Sequence, residues 1–78
     1  MKDYKWYLAT ISIYRNGEWF AREEVSVCID TYVCYKAKRS IQDELEWQSE
    51  WEAKRLLKKY AKDDATWHYD IEEVKEDK

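Results

Sequence analysis

The chain has 78 residues, enough for one small domain and too few for two. Charged residues make up 40% and aromatics 17%, with five Trp, seven Tyr, one Gly and no Pro, a mixture that excludes intrinsic disorder over most of the length. A net charge of −3 lacks the basic footprint of a duplex-DNA binder, and no stretch approaches the ~20 apolar residues of a membrane span, so a cytoplasmic protein without a membrane partner is expected.

Residues 4–14 alternate with a period of two. Tyr7, Ala9, Ile11 and Ile13 share one face; Tyr4, Trp6, Leu8, Thr10, Ser12 and Tyr14 share the other. Arg15-Asn16-Gly17-Glu18 follows, and Asn-Gly between two such runs signals a hairpin because both residues tolerate the left-handed backbone of a tight turn. Residues 19–29 are the return strand. A two-residue turn sets Ile11 opposite Arg22. A three-residue loop with Gly17 as a left-handed bulge instead aligns Ile13 with Trp19 and Ile11 with Ala21. The longer loop keeps Val25, Val27 and Ile29 on the core face and is the expected register, with a bulge at Glu23-Glu24 as another route to the same pattern.

A long helix comes next. Ser40 to Lys62 contains no Gly or Pro and is rich in Glu, Lys, Leu, Ala and Gln. Ser40-Ile41-Gln42-Asp43 approximates a capping box with Asp in place of Glu. The start can also lie near Thr31, capped by Asp30, which brings Cys34 onto the apolar face. The expected helix spans about 36–62. Residues 65–74 alternate Trp67, Tyr69 and Ile71 as a third strand, and 75–78 form a frayed charged tail. The fold class is therefore α+β: one domain over 1–78, a two-layer ββαβ in which the hairpin (4–29) and the third strand pack on one long helix.

Projection at ~100° per residue puts Ile41, Leu45, Ala53, Leu56, Leu57 and Tyr60 in one stripe, with Ser49 among them. Trp47 and Trp51 fall nearly opposite, beside Glu44, Lys54, Arg55, Lys58 and Lys62. Either other parts of the chain fold over the two indoles, or the helix packs sideways, or they form an interface. Trp is enriched at binding hot spots, and a charged rim around an apolar centre matches interface anatomy. Trp47, Trp51, Lys54, Arg55 and Lys58 are thus the candidate partner-binding residues, the partner being another protein or a second copy in a homodimer.

The sheet offers a second candidate surface. Its non-helix face carries Trp6 and Tyr14, expected to be joined by Phe20, with Lys5, Arg15 and Arg22 nearby. Such a face serves cross-strand packing, a protein contact, or stacking of single-stranded RNA bases. Lys36, Lys38 and Arg39 are the candidate nucleic-acid contacts. Catalysis is not expected: the one histidine, His68, has no spacing that pairs it with Cys28 or Cys34, and those two cysteines are six apart rather than CxxC. They read as reduced thiols. Too few ligands exist for zinc, and a single glycine makes no phosphate loop, so no metal and no cofactor are expected.

The element order, and the segment Tyr14-Arg15-Asn16-Gly17-Glu18-Trp19-Phe20-Ala21-Arg22-Glu23, resemble the Dmd-type antitoxins among the small anti-defence and host-takeover proteins of tailed phages. That family also places an aromatic, a basic residue and Asn ahead of the turn, then Phe and a basic–acidic pair after it. This chain differs in a strand one residue longer near Glu24, a longer helix and an acidic tail, so no functional residue is carried over. The resemblance implies an inhibitor, in the host-cell cytoplasm, that inactivates a toxin, nuclease or defence protein by occluding it.

Overall fold

The computed structural model describes residues 3–77. In chain order the elements are β1 (Tyr4–Arg15), β2 (Glu18–Asp30), α1 (Thr31–Lys36), α2 (Ile41–Tyr60) and β3 (Trp67–Glu76). The fold is α+β: one antiparallel three-stranded sheet in the order β2-β1-β3, with α2 packed on one face. A second, short helix makes the order β-β-α-α-β rather than ββαβ.

Central position makes β1 the spine of the core. Ala9, Ile11 and Ile13 are completely buried, flanked by Val27 and Ile29 of β2 and covered by Leu45, Ala53 and Leu56 of α2. Cys34 of α1 closes the cluster. Few side chains are fully buried, and the shape reflects it: the molecule measures 46 × 24 × 16 Å. Its radius of gyration is 14.3 Å, against about 11.5 Å for a compact chain of this length.

The hairpin turn has two residues, not three. Asn16 (φ 53°) and Gly17 (φ 81°) are both left-handed, the backbone of a type I′ turn. Asn16 also ties the turn to the start of β3, its N–H donating to the Thr66 carbonyl (2.7 Å) and its Oδ1 accepting from the Thr66 N–H (3.0 Å). Arg15 pairs with Glu18 and Tyr14 with Trp19; the register then shifts, so that Ile13 faces Ala21 and Ile11 faces Glu23. Phe20 is the extra residue of that bulge. The bulge keeps Val25, Val27 and Ile29 on the inner face, which is the constraint the longer loop was expected to satisfy.

The helix expected over about 36–62 is broken, and it ends at Tyr60. Asp30 caps α1, its carboxylate accepting from the Tyr32 and Val33 N–H groups. Lys38 then turns left-handed (φ 55°), while Lys38 N–H donates to Tyr35 and Arg39 N–H to Cys34. Those two bonds form a Schellman stop with lysine where glycine is usual. Ser40 restarts the helix, its Oγ accepting from Asp43 N–H at 2.9 Å. At the other end of the chain, Lys75 and Glu76 belong to β3 rather than to a frayed tail: Glu76 pairs with Tyr7, and Asp77 N–H donates to the Trp6 carbonyl. Lys78, the last residue of the expected tail, lies outside the described residues.

Polar latches fix α2 to the sheet. Tyr69 Oη of β3 donates to Glu50 at 2.6 Å, which pushes the phenol pKa up to about 12. Tyr60 donates to Glu23 of β2 and Lys59 adds an ion pair at 3.2 Å, holding the Glu23 carboxyl below its ordinary range. Near the turn, Asp63 accepts from Trp67 Nε1 (2.9 Å) and Arg15 (2.8 Å), and those bonds lower its pKa also. A raised phenol pKa stabilises the fold below pH ~10 and loses that contribution as the pH climbs toward 12. The lowered carboxyls act in the opposite sense, contributing above pH ~4 and failing in acid. Tyr69→Phe should therefore be less stable than the wild type at neutral pH, and should lose less stability between pH 10 and 12. Urea unfolding across that range reads it, and equal slopes in the two proteins would remove the latch.

Candidate protein-binding face

α2 is positioned by its core stripe: Leu45, Ser49, Ala53 and Leu56 are buried, so the opposite stripe must face outward. Trp47 and Trp51 lie on it, 63% and 56% exposed. Neither a folded-back strand nor a sideways helix covers them. An exposed indole normally finds cover or a polar setting, and here both rings stand one turn apart on a helix whose core face is already used.

Their surroundings differ in charge. Trp51 lines a shallow groove of about 320 Å³ with Lys54, Arg55 and Lys58. Trp47 lines another of about 590 Å³ with Arg39, Asp43 and Glu44. Glu44 accepts from Gln48 (2.8 Å) and from Arg39, bonds that hold its carboxyl below the ordinary range and keep it ionised. Arg55 is bridged to Glu52 one turn back at 2.6 Å. Lys54 and Lys58 are exposed. Asp43 and Glu44 did not stand out in the sequence as binding residues, yet Glu44, Trp47, Trp51, Lys54 and Lys58 follow a 3-4-3-4 spacing that marks one seam.

The open sheet face is less uniform. Trp6 pairs with Cys28 and Tyr14 with Trp19, so the two aromatics sit eight residues apart on β1, about 26 Å. Between them the register places Arg22 and Glu24 from β2 and Asp70 and Glu73 from β3. Glu72 accepts from Ser12 and pairs with Arg22 at 3.3 Å. Phe20 is not on this face: its ring meets Tyr60 (5.9 Å) and Trp67 (5.1 Å) edge-on at the helix side, at the end of the core, and stays half exposed. The bulge turns it there, and Trp19, 59% exposed, lies beside Tyr14 instead.

The basic residues of the interhelical corner are partly engaged. Arg39 is bound to Glu44, Lys36 lies 5.9 Å over the Tyr32 ring, and Lys38 holds the left-handed stop. His68 stacks on Tyr14 (4.8 Å), at the opposite end of β1 from Trp6 and Cys28, while Cys34 is in the core; the structure brings neither thiol to the imidazole. Among the described residues no group of three or more His, Cys, Asp or Glu is arranged to hold a metal, and no helix is long and apolar enough to cross a membrane. Comparison with protein-family models, curated proteins and solved structures gives no match.

Because both indoles stand off the core, replacing them should leave the fold intact. Trp47→Ser/Trp51→Ser is expected to keep its helical circular dichroism and to change the unfolding free energy by less than about 1 kcal/mol. A loss of several kcal/mol would show that the rings belong to the fold.

Proposed function

We propose that this chain is a non-catalytic protein-binding module whose principal contact surface is the outer face of α2. The observation that carries the reading is the exposure of Trp47 and Trp51 on a rigid helix whose other face is already buried in the core. Two aromatic anchors, Trp51 among Lys54, Arg55 and Lys58 and Trp47 among Arg39, Asp43 and Glu44, have the composition of a hot spot with a polar rim. Binding by such a face needs no cleft and no reactive group. The likeness of the hairpin to the Dmd-type antitoxins makes occlusion of a toxin, nuclease or defence protein the mode of action we propose, in the cytoplasm of a host cell.

Affinity capture tests it, using the wild-type chain and Trp47→Ser/Trp51→Ser as paired baits in lysate with and without nuclease treatment. A protein recovered by the wild type and lost by the variant is the expected result. Equal recovery by the two baits would remove the α2 face from the reading. Recovery that disappears on nuclease treatment would replace the protein partner with RNA.

A further inference from the structure

We propose that the outer face of α2 takes a second copy of this chain, the two helices packing antiparallel about a two-fold axis near residue 49. This rests on reading that face as a protein interface, and it names the occupant.

The polarity of the seam carries it. Along Glu44, Trp47, Trp51, Lys54 and Lys58 the acid lies at the N-terminal end, the indoles in the middle and the ammonium groups at the C-terminal end. The groove beside Trp47 is lined by Arg39, Asp43 and Glu44, with Arg39 already paired to Glu44, and the groove beside Trp51 by Lys54, Arg55 and Lys58. Each copy thus holds one recess whose lining is acidic on balance and one basic recess, with Trp47 and Trp51 between them. Turning a second α2 end for end brings Trp47 against the second copy's Trp51, and Asp43 and Glu44 against the second copy's Lys54 and Arg55. The same correspondence recurs on the other side of the axis, as an isologous interface demands. A parallel pair would instead stack Lys54 on Lys54 and Lys58 on Lys58.

Size and spacing agree with this. The 3-4 repeat is the seam along which two helices pack at a shallow angle. Exposures of 63% and 56% leave each chain about 300 Å² of indole, so four rings supply roughly 600 Å² before the Lys54 and Lys58 stems are counted. The total stays below the ~1,200 Å² of stable interfaces, in the range of weak, transient contacts, so the dimer is a reversible one. A foreign target that uses the same face competes with the second copy.

Sedimentation equilibrium over a concentration series, up to about 0.2 mM, reads the association. The wild type is expected to dimerise, Lys54→Glu to weaken the dimer about tenfold, and Asp43→Lys/Lys54→Glu to restore it, because each swapped charge again meets its opposite. Trp47→Ser/Trp51→Ser should be monomeric. All four proteins are checked for unchanged helical content. A monomeric wild type overturns the proposal, as does a dimer indifferent to both the indoles and Lys54. The two readings fail separately: a monomeric wild type whose capture of a foreign protein still needs the indoles removes only the second copy. Capture that ignores the indoles removes the interface itself.

Discussion

The inward row of β1 is the interaction on which the structure depends. Ala9, Ile11 and Ile13 of the central strand are completely buried, in one cluster with Val27 and Ile29 of β2 and Leu45, Ala53 and Leu56 of α2, with Ile71 and Val74 of β3 packed against it. A single row cannot fill a thick core. The helix comes down on it with small residues, Ala53 and Ser49, among Leu45 and Leu56, which gives a slab 16 Å deep. Apolar burial alone is modest in so thin a layer, and the edges are held by paired polar groups: Tyr69 with Glu50, Tyr60 and Lys59 with Glu23, Arg15 and Trp67 with Asp63. Several of these pairs join the helix or the turn to a strand far away in sequence, so they orient α2 as well as hold it.

A thin slab also explains why so many aromatics remain outside. With one covered sheet face and one covered helix stripe, the inner layer takes only Tyr7, Tyr60, Trp67 and Tyr69 as partly buried rings. Phe20 is drawn to that layer's end by the bulge. Trp6, Trp19, Trp47 and Trp51 are left on the outside, each about half exposed or more. Orientation thus passes from core to site: the stripe that anchors α2 decides, through the helical period, which indoles face outward.

Much of this was legible in the sequence where one local rule decides. Period-two alternation placed Ala9, Ile11 and Ile13 inward, the helical projection placed Trp47 and Trp51 outward, and Asp30 and Ser40 both cap helices, though the sequence offered them as alternatives for one. What escaped depends on competition between rules. Lys38 stops α1 in a conformation that glycine usually adopts, so no residue type announced the break. Asn-Gly fixed a tight turn, but the inner face needed one more residue, and the chain supplied it at Phe20 beyond the turn rather than within it. That choice moved Phe20 off the open sheet face and put Trp19 there, which no pattern within β2 alone distinguishes. The tail paired because β1 extends past the end expected for β3, leaving backbone groups at Tyr7 and Trp6 that Glu76 and Asp77 satisfy.

Charge segregation along α2 has a competing source in the helix dipole, which favours acids in the first turn and bases in the last. Asp43 and Glu44, and Lys58 and Lys59, sit where the dipole would have them. That effect fades within one turn of each end and is indifferent to azimuth, so it accounts for neither Lys54 nor the alignment of the charges with the indoles. Lys54 lies more than a turn before Tyr60, next to Trp51 and on the same seam. The dipole and the seam are moreover not rivals once two helices meet: antiparallel dipoles attract, and the charges that complement one helix's ends then complement its neighbour's. A surface helix with aromatics at its centre and charges placed for its own dipole is already biased toward an antiparallel copy of itself, and Lys54 strengthens that bias at the position where a dipole alone would not place a charge.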